Sequence, residues 1–147
     1  MQSLSMMLAF LVGAGLVIQV GLNMAVGRAL GGAVWGAFVN FIVGTAALVI
    51  LLVATRQSWP SRDVVAGVPA WAWFGGLLGA AYVATATFAG PRLGALLLLA
   101  LTVAGQMIAS VIVDHYGLLG FQQQAVTPLR LAGIALLVAG VWLVALR

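Results

Sequence analysis

The sequence predicts an all-α integral membrane protein of five closely packed transmembrane helices, and three observations predict it. Hydrophobic residues make up 65% of the chain and charged residues only 5%, whereas a soluble domain carries about a quarter charged residues to keep its surface wetted. So few charges cannot cover a water-facing surface. Hydrocarbon tolerates the composition, because there only the backbone must be satisfied internally, as a helix or a closed barrel. The apolar residues come in continuous runs rather than in alternation, which selects helices over barrel strands. At about 20 residues per crossing, the 147 residues give five spans with short connections and leave no room for an extramembrane domain. Residues 1–147 are therefore expected to form a single transmembrane domain.

The first apolar run extends from about Leu4 to Val26 and ends in the stretch Gly27, Arg28, Ala29, Leu30, Gly31, Gly32. No Lys or Arg precedes it within Met1 to Ser5, so the basic start of a secretory signal is missing and the span is expected to remain in the mature protein. The second run covers about Ala33 to Ala54, followed by the most evident loop, Thr55 to Pro69, with Arg56, Trp59, Pro60, Arg62 and Asp63 and no apolar period. A third run covers about Ala70 to Ala89. Gly90, Pro91 and Arg92 are expected to end it, because proline cannot continue the hydrogen-bond ladder. The fourth covers about Leu93 to Val113 and is closed by Asp114, His115, Tyr116 and Gly117. Gln122, Gln123 and Gln124 then lead to Pro128, suited to the first turn of the last helix, about Leu129 to Leu146. No internal repeat is visible.

An odd number of spans puts the termini on opposite faces. The face of the N-terminus, side A, receives Arg56, Arg62 and Arg130, and side B receives Arg28, Arg92 and Arg147. Orientation normally follows an excess of Lys and Arg on the cytoplasmic side, and here there is none. Either a single charge or a shifted boundary decides, or the chain inserts both ways up and pairs with an inverted copy of itself, as inverted repeats do within larger transporters. The net charge of +4 comes from scattered arginines, so nucleic acid is not an expected partner.

Polar residues within the spans are informative because each is costly unless it faces the bundle interior or a wet cavity. Gln19 and Asn23 share a face of the first span, Asn40 lies on the second, and Gln106 and Ser110 lie on the fourth. At 1.5 Å per residue, Gln19 and Asn40 both sit roughly 10 Å from side B and can meet, whereas Gln106 lies roughly 10 Å from side A. An inverted partner would bring its Gln106 to the level of Gln19 and Asn40, around a polar chamber near the midplane. The plainer alternative is that these amides only clasp helices together. Tyr82, one turn from Thr85 and Gly79 in the third span, is either a further chamber residue or a core hydrogen bond.

Glycines recur at four-residue spacing, Gly27 with Gly31, Gly32 with Gly36, Gly75 with Gly79 and Gly90 with Gly94, and Gly133 and Gly140 lie two turns apart. Such stripes let helix backbones approach closely, so Gly32, Gly36, Gly75, Gly79, Gly133 and Gly140 are expected at helix contacts. Trp59, Trp71 and Trp73 fall toward side A and Trp35 and Trp142 toward side B, as an interfacial aromatic belt requires. There is no Cys, no Glu and one His, and the carboxylates are Asp63 and Asp114. Neither a metal cage nor a carboxylate pair can be assembled from them within a chain, so no enzyme activity, metal or cofactor is expected. Asp114 and His115 read either as a proton-coupling pair or as a solvated cap near Arg130. With no carboxylate in mid-membrane, a neutral, zwitterionic or weakly anionic solute suits the amides better than a cationic one.

GPRLGA from Gly90, VAGQ at Val103 to Gln106, DHYGLLG at Asp114 to Gly120, the Asn40 to Gly44 element and the glycines of the third span resemble the YdcZ-like family, a five-helix branch of the drug/metabolite transporter superfamily. The resemblance covers nearly the whole chain. It implies a small multi-pass protein of the bacterial inner membrane that works as an antiparallel pair. The pair is built from one dual-topology chain, from two oppositely oriented paralogues, or in a fused ten-helix form. The even arginine count fits the first, an antiparallel homodimer forming a ten-helix inverted-repeat transporter. Unlike the four-helix small multidrug resistance proteins of that superfamily, the chain lacks a glutamate in its first span, which argues against cationic-drug export by their mechanism. The expected function is transport of a small metabolite by alternating access. The alternative is a non-transporting accessory or assembly subunit, and a narrow channel is disfavoured by the absence of a charged ring or selectivity loop.

Overall fold

The computed structural model describes residues 2–146, so Arg147, one of the six counted arginines, lies outside the described residues. The elements are α1 (Gln2–Leu30), α2 (Ala33–Ala54), the short α3 (Arg62–Ala66), a 3-10 turn (Ala70–Phe74) leading into α4 (Gly75–Leu93), α5 (Ala95–Tyr116) and α6 (Pro128–Ala145). Among the described residues, five helices are long and apolar enough to cross a membrane: α1, α2, α4 with its 3-10 lead, α5 and α6.

Several boundaries differ from the sequence reading, each for a local reason. α1 continues past Val26 to Leu30; Gly27 lies where another backbone approaches, and Arg28 sits where its long stem can carry the charge to the interface. The helix stops at Gly31, whose φ of 85° is open to glycine at no steric cost. Pro91 does not end α4 but lies inside its last turn. A proline forfeits only its own N–H bond and crowds the turn before it, so the chain can still wind on for two residues. Within the loop after α2, Ser61 caps α3 by accepting from the Val64 N–H at 3.4 Å, a Ser-then-Asp start that the apolar pattern alone could not signal. Asp114, His115 and Tyr116 form the last turn of α5 rather than a loop.

The chain divides into two compact units, one running to Pro91 and the other from Arg92. In the first, α1 and α2 form an antiparallel hairpin closed at Gly31 and Gly32, where the Gly32 N–H donates to the Gly27 carbonyl at 2.8 Å. The buried positions are Val20, Asn23 and Gly27 on α1, Gly36 and Ala37 on α2, and Val83, Ala86, Thr87 and Gly90 on α4. Small side chains on facing stripes allow the close backbone approach by which helices associate in lipid.

In the second unit, α5 packs on α6 across a clamped connection. Gly117, in left-handed conformation at φ 61°, caps α5 by donating to the Asp114 and Val113 carbonyls. The Gln124 N–H then returns to the Asp114 carbonyl at 2.8 Å, and Gln123 Nε2 donates to the His115 carbonyl at 3.0 Å. Thr127 caps α6 by accepting from the Arg130 N–H, with Pro128 in the first turn as expected. A Cβ at Gly117 would meet Gln123 Cβ at 3.2 Å in a backbone conformation that L residues disfavour. Gly117→Ala is expected to cost about 1–2 kcal/mol, read as a lowered unfolding midpoint of the purified protein.

The large apolar side chains point outward. Phe10 is 76% exposed and Leu129 83%, and α6 has no buried residue. In lipid this carries no hydrophobic penalty, and the backbone is satisfied within the helices.

Candidate functional site

The α1–α2 hairpin brings three of the sequence-predicted residues together. In an antiparallel pair, each turn taken along α1 is matched by a turn back along α2, so a four-residue stripe on one helix meets a four-residue stripe on the other. At the first level Gln19 Nε2 donates to Asn40 Oδ1 at 3.1 Å. One turn on, Gly36 lies so close to α1 that a Cβ there would stand 2.3 Å from the Asn23 carbonyl oxygen. A further turn along, a Cβ on Gly27 would stand 3.1 Å from the Gly32 carbonyl. Thr87 of α4 completes the node, its Cγ2 lying 3.1 Å from the Cβ position of Gly36 and 3.4 Å from that of Gly27. Its hydroxyl is satisfied by the Val83 carbonyl at 2.8 Å, so the side chain presents only its methyl to the hairpin.

Beside this node lies a cleft of about 530 Å³, lined by Gln19, Asn23 and Asn40, by Gly15 and Gly44, and by Ile18, Leu22, Val26, Val39 and Val43. No charged side chain lines it. Gln19 and Asn40 are half-buried, and their one hydrogen bond uses one donor and one acceptor of two primary amides. Among the described residues, Gln19 Oε1 and Asn40 Nδ2 have no further protein partner. Asn23 is 5% exposed and its Nδ2 has no hydrogen-bond partner, a state that costs about 1–3 kcal/mol in a buried amide.

The remaining candidates lie elsewhere. Tyr82 is half-buried and Thr85 exposed on α4, and neither lines the cleft. Gln106 and Ser110 are exposed on α5 in the second unit; Ser110 Oγ bonds back to the Met107 carbonyl at 2.9 Å. Asp114 faces Arg130 at 3.7 Å with both side chains about a third exposed, and Arg130 also donates to Gln124. His115 is exposed and packs edge-on against Tyr116. Of the six glycines expected at helix contacts, Gly36 is tightly packed, and a Cβ on Gly79 would stand 3.4 Å from the Phe41 ring. Gly32 meets only Trp35 Cδ1 at 4.0 Å, and Gly75, Gly133 and Gly140 have no described atom within 4 Å of a Cβ position. A glycine stripe marks where a backbone can approach and not whether one does.

Sequence reading missed Thr87 and singled out Thr85 two residues away. The signal was present in the spacing of Val83, Ala86, Thr87 and Gly90, which is the i, i+3, i+4, i+7 pattern of one buried face.

Comparison with known proteins places the chain among its relatives. A model of the family described as "Putative inner membrane exporter, YdcZ" matches residues 4–143. The protein named Inner membrane protein YdcZ, from Escherichia coli (strain K12), is 30% identical over 145 residues, covering 97% of each chain. No solved structure matches.

Proposed function

This chain belongs to the family described as "Putative inner membrane exporter, YdcZ", and from that membership we propose that it moves a small polar metabolite by alternating access as an antiparallel homodimer. The observation that carries the proposal is the charge-free cleft in which Gln19, Asn23 and Asn40 converge between two helices. Polar groups inside a membrane span are retained where they meet a solute or a wet path. Of the neutral, zwitterionic and weakly anionic solutes that the sequence leaves open, a neutral one fits such a lining best. The protein is on this reading a carrier and not an enzyme, and it works as a single membrane domain.

The second copy is argued from what one copy leaves open. Gln106 and Ser110 are exposed on α5 and Gly133 on α6, and polar and small residues of this kind are ones that lipid alone serves poorly. An inverted copy would set its Gln106 at the depth of Gln19 and Asn40, while Tyr82 and Thr85 would line the chamber from α4. The glycine seams would let helices rock between inward-open and outward-open states. The solvated Asp114–Arg130 pair favours a cap at the end of α5 over proton coupling, since an exposed ion pair of this kind is worth about 0–1 kcal/mol and holds a turn in place.

The test uses the lack of cysteine in the sequence. Ser58→Cys, in the connection after α2, is expected to react with a membrane-impermeant maleimide to about half in intact cells and completely after lysis. Reaction confined to one face, with no oppositely oriented paralogue copurifying, would refute the antiparallel homodimer. Copurification of an unrelated protein with no solute flux would favour the accessory role instead.

A further inference from the structure

We infer that the α1–α2 cleft selects an uncharged solute presenting a hydrogen-bond donor beside an acceptor on one planar edge, the pattern of a primary amide, a urea or a lactam; this rests on the transport reading above and narrows it. Charge comes first. The lining has no cation or anion, and an ion removed from water needs a counter-charge that the cleft does not supply. The nearest arginine in sequence, Arg28, is nine residues beyond Gln19 on the same helix, about 13 Å along its axis. Zwitterions fail for the same reason at both ends.

Hydrogen-bond polarity narrows the class further. Two primary amides side by side can exchange two hydrogen bonds, each using a donor from one and an acceptor from the other. Gln19 and Asn40 make only one, from Gln19 Nε2 to Asn40 Oδ1. What remains on display is an acceptor, Gln19 Oε1, with a donor, Asn40 Nδ2. Asn23, one turn further along α1, is 5% exposed, and its unpaired Nδ2 is closed off from the cleft by the packed helices. A carboxylate would meet the donor but set its charge against Gln19 Oε1. An ammonium would meet the acceptor and leave the Asn40 amide unpaired. A group carrying C=O and N–H together answers both half-buried amides, and Ile18, Leu22, Val39 and Val43 offer apolar walls to the rest of the molecule.

The experiment compares three probes on one ring: nicotinamide, nicotinate and 3-(aminomethyl)pyridine. Binding to the full-length protein in lipid nanodiscs is read by saturation-transfer NMR, and flux in proteoliposomes is read against protein-free vesicles. Nicotinamide is expected to bind at least about tenfold more strongly than either charged analogue, the factor that one buried hydrogen bond supplies. Asn40→Asp, which exchanges the displayed donor for an acceptor at constant size, is expected to remove the preference. Should that variant fail to fold, Gln19→Glu at the half-buried position is expected to do the same. Binding or flux of nicotinate or the amine equal to that of nicotinamide overturns this inference and leaves the carrier reading standing. Absence of binding and of flux for all three also overturns this inference, while the carrier reading answers to the Ser58→Cys labelling above.

Discussion

Gly36→Leu is expected to disrupt the α1–α2 hairpin, and Gly36→Ala to weaken it by about 1–3 kcal/mol, the usual cost of forcing extra atoms into a packed contact. The cause is specific. A Cβ at this position would stand 2.3 Å from the carbonyl oxygen of Asn23 and 3.1 Å from Thr87 Cγ2. The first of these neighbours is helix backbone and cannot turn aside, so the helices must separate by about 1 Å to restore van der Waals contact. Separation on that scale lengthens the 3.1 Å Gln19–Asn40 bond beyond hydrogen-bond range and withdraws Thr87 from the node. Gly44→Ala on the same helix is the control. Nothing lies within 4 Å of its Cβ position, and alanine favours the helix, so its effect should stay within about 0.5 kcal/mol. Both are measured as thermal or denaturant midpoints of the purified protein. A Gly36→Ala protein as stable as the parent would mean that α1 and α2 do not touch at this level.

How far the sequence determined these contacts depends on the kind of signal each carries. Five apolar runs sufficed for five candidate spans, because membrane thickness converts hydropathy directly into length. Helix ends were less legible. Pro91 and Gly27 are helix breakers by propensity, yet both are helical, since a last turn has few bonds left to lose and a tight helix contact favours glycine. The meeting of Gln19 with Asn40 was legible because depth in a hairpin follows from residue count alone. Which glycines pack was not. Gly36 and Gly133 look alike in sequence, and only the path of the neighbouring helix separates them. Asn23 illustrates the same limit: its place on the face of Gln19 follows from helical spacing, whereas the missing partner of its Nδ2 depends on where every nearby acceptor falls.

Replacing either member of the amide pair is expected to stop transport while sparing the fold, and the two effects differ enough in size to be told apart. Gln19→Leu and Asn40→Leu each remove one interhelical hydrogen bond, worth about 0.6–2 kcal/mol in a membrane, and the Gly36 seam below it remains. Because the two side chains share that bond, the double variant should lose about as much stability as either single one. Flux should fall at least about tenfold in each, since an apolar side chain leaves the polar edge of a solute unpaired in the cleft. Gln106→Leu separates the one-copy from the two-copy site. Its side chain is exposed in the protomer, so the change costs the isolated chain little. If an inverted partner delivers Gln106 to the chamber, flux falls as it does for Asn40→Leu. If flux persists in Gln106→Leu but not in Asn40→Leu, the solute passes through the α1–α2 cleft of one copy. If it persists in all three variants, the amides are helix clasps and the path lies elsewhere.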